Sequence, residues 1–195
     1  SQALAGRRAM QVQETLYRLS VVAQSAQTLG ELFPAIHRVI AELLPAKNLY
    51  VALYDAATDL ITYPYFIDEH DVPPPPEKLG RNLTSYVLRY GKPLLATTDA
   101  FHALIESGDV ELNGTPALDW LGVPLQYAGP SAPAIGVLAV QTYDEGVRYT
   151  ERDRDILSFV SGQVAMAIER QRAIDELRRV KEFNEGIVRG MAEAL

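Results

Sequence analysis

Three histidines, His37, His70 and His102, supply every imidazole of this 195-residue chain, and it has no cysteine. No two of the histidines stand at the short separations that put ligands on one side of a metal ion, so no metal site is expected. His37 lies in an apolar-periodic segment and His70 in an acidic one, where a hydrogen-bonded or solvated ring is the ordinary state. The lack of cysteine removes disulfides, thiolate zinc sites, cysteine nucleophiles and thioether-anchored cofactors. The carboxylate pairs Asp68-Glu69 and Asp144-Glu145 fall in polar turns, and no serine, histidine and acid are spaced as a nucleophile with its base. No catalytic residue is therefore expected, and the chain reads as a non-enzyme. Arg81, next to Gly80, is placed either to meet an anionic ligand or simply to stand exposed at a helix start.

Composition narrows the partners. With 25 acidic against 18 basic residues the net charge is -7, so there is no overall basic field to attract nucleic acid or anionic lipid, and neither is expected as a partner. No apolar run approaches the ~18 residues of a membrane span, and the N-terminus lacks the charged-then-apolar order of a signal peptide. A cytoplasmic protein is expected. The start at Ser1 and the end in mid-pattern at Glu193-Ala194-Leu195 read as a piece cut from a longer signalling protein.

The elements that must position any site follow from periodicity. Val12, Leu16, Leu19, Ala23 and Ala26 alternate four-three spacing and predict an N-terminal helix with one apolar stripe, assigned to pairing with a second chain through Leu16 and Leu19. Leu32 to Leu44 predicts a second helix, stopped by Pro45. Asn48–Tyr54 and Leu60–Phe66 read as an antiparallel pair, the first apolar on both faces and the second marked by Pro64 as an edge or bulge. Ile67–Lys78, acidic and then proline-rich, reads as an extended surface connector with no ladder, able to serve as a lid. A short helix follows with Leu83, Val87 and Tyr90 on one face, then a strand at Leu94–Ala96 and a helix capped by Asp99. Asp119–Gln126 and Ala134–Tyr143 pair as a hairpin that completes the sheet.

From Thr150, a helix cap, the remaining residues read as one helix of roughly 65 Å, longer than so small a domain is wide. Its distal half places Ala173, Leu177, Val180, Asn184, Ile187 and Met191 at strict four-three spacing, the seam of a coiled coil with a core asparagine that favours an in-register parallel homodimer. An upstream stripe, Val160, Val164, Ala167, Gln171 and Ile174, is out of phase with it. The break is either a place where a coil rotates or the point where packing on the domain ends. Three units result: a dimerisation helix over 1–28, a domain over 29–168 and a coiled-coil signalling helix over 169–195.

This order of elements resembles the GAF fold, an α+β sandwich whose antiparallel sheet of roughly six strands carries helices on both faces. Leu79–Leu88 with Gly91-Lys92-Pro93-Leu94 looks like that family's helix over its ligand cavity, and Trp120–Leu125 with Ile135–Val140 looks like its last hairpin. The resemblance covers roughly residues 20 to 170. Lys181–Val188 resembles the linker into a PAS domain in GAF-containing sensor histidine kinases, which implies a downstream PAS or kinase domain as partner in the parent chain.

The resemblance implies a cavity between the sheet and the Leu83–Tyr90 helix, with Tyr50, Phe66, Tyr86, Trp120 and Gln141 as ligand-binding candidates or, alternatively, as plain core. Among ligands of such domains, a covalent bilin and the chemistry of the methionine sulfoxide reductases both need cysteine and fail here. Cyclic nucleotide is disfavoured because the chain has no Asn-Lys dipeptide, and haem because no histidine is well placed, so the cofactor is unknown. Three functions stay open: a sensory module of a two-component protein relaying a small-molecule signal through dimeric helices, a ligand-free structural dimerisation module, and a small enzyme on the same scaffold.

Overall fold

The computed structural model describes residues 2–194; Ser1 and Leu195, to which the expectation about the chain ends referred, lie outside the described residues. Period-2 alternation builds the centre. In β1 (Asn48–Asp55), Leu49, Val51 and Leu53 point to one face while Tyr50 and Ala52 point to the other. β2 (Leu60–Ile67), β3 (Leu94–Thr97), β4 (Asp119–Leu125) and β5 (Gly136–Thr142) complete a wholly antiparallel sheet in the order β2-β1-β5-β4-β3. Pro64 lies on an edge strand and beside a bulge, since the pairs Val51↔Tyr65 and Leu53↔Thr62 leave one extra residue in β2. The expected absence of any ladder in the proline-rich connector is corrected: Glu77 pairs with Ile61 through two backbone hydrogen bonds of 2.7 and 3.0 Å. Five strands and this single-residue bridge stand where about six strands were expected.

The two faces differ in what fills them. Against one face pack α1 (Gln2–Ser25), α2 (Leu29–Leu43) and the first half of α5 (Glu151–Glu193), burying a core of Leu, Ile and Val that includes Leu32, Ile36, Ile40, Leu121, Leu157 and Val164. The other face carries the short residues Ala52, Ala96 and Ala139 beside large aromatic rings, under α3 (Leu83–Tyr90) and α4 (Thr98–Glu106). Branched aliphatics on both sides of the first interface interdigitate. Alanines opposite rings leave space.

α1 runs parallel to α5, with Leu4 and Arg8 beside Arg152 at one end and the Ala23 carbonyl accepting from the Arg170 guanidinium at the other. Arg18 holds Glu42 of α2 through two hydrogen bonds of 2.7 and 2.8 Å. The expectation that Leu19 pairs with a second chain is corrected here: it is completely buried in the protomer's own core, and Leu16 is half-buried against that core. The stripe's partner surface is α2 and α5 of the same chain. Thr97, rather than Asp99, caps α4, because its hydroxyl at the end of β3 already accepts the Ala100 amide at 3.3 Å.

Thr150 and Asp153 form a reciprocal capping box at the start of α5. Leu157, Val160, Val164, Ala167, Ile168 and Gln171 are buried on the domain, and every residue from 173 to 194 is exposed. The change of phase read in the sequence therefore coincides with the point where packing on the domain ends. No described helix is long and apolar enough to cross a membrane.

Candidate ligand-binding site

The space left by the short side chains is a cavity of about 440 Å³ between the sheet and α3, within the range that holds a small ligand. Tyr50, Phe66, Trp120 and Gln141 line it. Tyr86 does not. The inward positions of α3 are Thr84, Ser85 and Val87, so Tyr86 turns outward and packs on Tyr90 at a centroid distance of 4.5 Å; Tyr90, expected on the inner face, is itself exposed.

Tyr50 organises the floor. Its hydroxyl accepts the Trp120 indole N–H at 3.0 Å and shares a hydrogen bond of 2.9 Å with Thr84, tying β1, β4 and α3 together. Burial pushes the phenol up to about 12, an effect that the bonds from Thr84 and Trp120 partly offset, so it is neutral at ordinary pH. The Trp120 ring crosses the backbone of Gly122, where an added Cβ would stand 2.0 Å from Cη2; only glycine leaves that path open. Gln141 is aimed from its other side: its amide donates to the Asp68 carboxylate at 2.5 Å and to the Tyr143 hydroxyl at 3.0 Å, and Tyr143 also donates to Asp68. Burial alone would raise the Asp68 carboxyl, but the amides of His70 and Asp71 and the bonds from Gln141 and Tyr143 outweigh it and hold it below the usual range.

Sequence reasoning missed Tyr63, Glu77, Asn82, Thr84, Phe101 and the segment 111–117, all of which line the cavity. Strict alternation from Phe66 would send Tyr63 to the opposite face, with Tyr65. The bulge at Tyr63-Pro64 reverses the parity, so Ile61, Tyr63 and Phe66 share the cavity face while Tyr65 joins the aliphatic core. Pro64 was the available signal. Tyr63 donates to Glu77 at 2.7 Å; burial first, then the neighbouring Tyr50 and Glu77, push its phenol far up.

A strap of residues 107–118 joins α4 to β4 across the mouth and is fastened twice. The Asp71 carboxylate accepts the Thr115 amide at 3.0 Å and its hydroxyl at 2.7 Å. At the other end the Glu111 amide donates to the Arg81 carbonyl at 2.5 Å and the two side chains pair at 3.2 Å. Arg81 thus stands exposed at the rim, bound to Glu111. Gly114, at φ +71°, brings the strap against Asp71 so closely that a Cβ would lie 2.7 Å from its carboxylate.

Beneath Trp120 the sheet is rooted to α5. Asp119, buried, accepts from Arg148 at 2.6 and 2.9 Å and from the Tyr149 amide at 2.9 Å. Burial opposes its charge, but Arg148 and that amide prevail and lower the carboxyl below its ordinary value. The histidines are placed otherwise. His37 is held between the Tyr65 hydroxyl at 2.7 Å and the Ala46 carbonyl at 2.5 Å, His70 packs edge-on to Tyr143 at 4.4 Å, and His102 is exposed. Among the described residues no three metal-ligating side chains gather.

Of the pairing residues assigned to α5, Leu177, Val180 and Ile187 are 71%, 47% and 46% exposed, and Asn184 is exposed with them, so no part of their own protomer covers them.

Solved structures share this architecture at low identity. The GAF domain of an Acinetobacter phosphoenolpyruvate-protein phosphotransferase superposes with a TM-score of 0.67 at 17% identity, over 85% of this chain and 98% of that one. The free methionine-R-sulfoxide reductase of Neisseria meningitidis, solved in complex with its substrate, gives 0.66 at 16% identity over 86% and 93%. The GAF domain of a two-component sensor histidine kinase from Bacillus halodurans gives 0.58 at 13% over 77% and 99%. These likenesses speak for the fold. No curated protein matches at a significant level. The family profile described as GAF domain matches residues 26–169, which takes in the sheet, the cavity, the strap and the domain-packed half of α5, and the chain belongs to the GAF domain family.

Proposed function

We propose that this GAF domain is the sensory input module of a signal-transduction protein, in which a small molecule held in the cavity changes the state of dimeric helices leading to a downstream domain. The observation that carries the reading is the continuity from the cavity to the exit helix. Trp120 lines the cavity, and its neighbour Asp119 holds Arg148 and Tyr149 immediately before the α5 cap. A ligand that displaces the indole acts one residue from the root of α5. The absence of cysteine argues against the redox chemistry named for the methionine-R-sulfoxide reductase relative, and the module is read as a non-enzyme.

The output side is α5, whose outer face supports pairing with a second copy. Phe159 and Met166 are 56% and 49% exposed and stand seven residues apart, in phase with Ala173, Val180 and Ile187. One apolar line thus follows the helix from beside the domain to its distal end, with Asn184 as a polar core position suited to a parallel register. The resemblance of Lys181–Val188 to a PAS linker supports a sensor histidine kinase as the parent chain, working in the cytoplasm without nucleic acid or membrane as partner.

Native mass spectrometry of the purified chain tests the reading. A dimer carrying added small-molecule mass is the expected result. A dimer of bare polypeptide mass, unchanged after incubation with extract metabolites, would instead make this a structural dimerisation module.

A further inference from the structure

The cavity has a chemical bias that sensing as such does not require. Among the described residues its lining holds no Lys, Arg or His but three carboxylates, Asp71, Glu77 and Glu111. Two of them are engaged: Asp71 with Thr115 and Glu111 with Arg81, both fastening the strap. Glu77 differs. Its backbone is clamped to Ile61, and its Oε1 accepts from Tyr63 at 2.7 Å and from Asn82 at 3.3 Å, while Oε2 has no protein donor among the described residues. The carboxylate is oriented in advance and retains an acceptor for a guest.

Around it stand aromatic rings. Tyr50 and Phe66 stack at 5.3 Å with 21° between their planes, and Tyr63 is edge-on to Phe66 at 6.2 Å and 81°. Ring faces carry negative charge density, which attracts an ammonium group and repels an anion, the more so away from water. An anionic guest would meet these rings and Glu77 with no lining cation to compensate, and a buried unpaired charge is costly.

We propose that the cavity takes a small organic cation, its ammonium group set against Glu77 and the faces of Tyr63, Phe66 and Tyr50, and its apolar part directed toward Phe101 and Trp120. This rests on the reading of the cavity as a sensory ligand site and names the class of ligand. It also separates this domain chemically from any that must hold phosphate or another anion.

Trp120 is the only tryptophan of the chain and lines the cavity, so its fluorescence reports an occupant directly. The full chain is titrated with phenethylammonium, with its neutral isostere 2-phenylethanol, and with phenylacetate. The cation is expected to bind at least about tenfold tighter than the alcohol, with phenylacetate weakest. Glu77→Gln keeps the shape and the bond from Tyr63, and is expected to cut the preference to about twofold while leaving the alcohol unchanged. If its melting shows a damaged fold, Phe66→Leu takes its place and should weaken the cation more than the alcohol. Equal or tighter binding of the alcohol or phenylacetate, or a preference indifferent to both substitutions, overturns the cation proposal while the sensory reading stands. No response to phenethylammonium at about 10 mM also overturns it, and the sensory reading falls with it only if the native mass spectrum shows bare polypeptide.

Discussion

Adjacent residues of a strand face opposite ways, and on β4 that rule gives two neighbours two tasks: Trp120 looks into the cavity and Asp119 into the junction with α5. The Asp119 carboxylate has a side-chain exposure of 1% and is satisfied by a guanidinium and a main-chain amide, so its charge is an asset only while both partners remain. Asp119→Asn is expected to lower stability at pH 7 by about 2 kcal/mol, the scale for losing hydrogen bonds to a buried charged group. The pH dependence has a definite sign. The folded-state carboxyl is depressed, so its contribution is full above the unfolded value of about 4 and is lost as pH falls through the folded value. Urea unfolding of both proteins should therefore show a gap that is widest near neutrality and closes in acid. A gap that does not change with pH would mean that the ionised form is not what joins β4 to α5.

Elements show what the sequence made legible and what it concealed. Strands, cap and exit helix followed from local signals: alternation in β1, Pro64 at an edge, Thr150 with Asp153 three residues on. Of the five residues named for the cavity, Tyr50, Phe66, Trp120 and Gln141 line it because rings and a polar side chain on the strand face under α3 have few other places to go. Tyr86 was misplaced since α3 is short and turns its small residues Thr84 and Ser85 inward, which lets the helix approach the sheet. Leu19 was misassigned because an apolar stripe says that a partner exists, not which chain supplies it. The strap was invisible, being fixed by contacts 44 residues apart, Asp71 to Thr115. It is also the element most exposed to a point change: Gly114→Ala forces a side chain into a left-handed conformation and against Asp71. The expected cost is about 1 to 3 kcal/mol, localised to the strap. Hydrogen exchange should rise over 109–118 while β1 and β5 keep their protection; unchanged exchange in the strap would show that the Asp71 fastening does not hold it.

At the scale of the whole molecule, α5 has 43 residues and spans about 65 Å, of which the distal half has no tertiary support within the protomer. Three exposed intrahelical ion pairs, Asp175 with Arg178, Glu176 with Arg179 and Lys181 with Glu185, contribute only about 0.3 to 0.5 kcal/mol each at best. Gly186 and Gly190 each cost about 1 kcal/mol relative to alanine in a helix interior, so these local contributions roughly cancel. Burial of Leu177, Val180, Ile187 and Met191 against a second copy would supply about 1.5 kcal/mol or more per side chain, which is enough to decide the matter. Replacing Leu177 and Ile187 together with Lys puts two like-charged pairs into that seam without touching the domain core, since both positions are solvent-exposed in the protomer. Sedimentation equilibrium should then give a monomer whose sheet and cavity are intact by Trp120 fluorescence. An unchanged dimer mass would move the interface to the domain-proximal surface, where Phe159 and Met166 on α5 and Leu4, Met10, Tyr17 and Val21 on α1 are exposed apolar side chains available to form it.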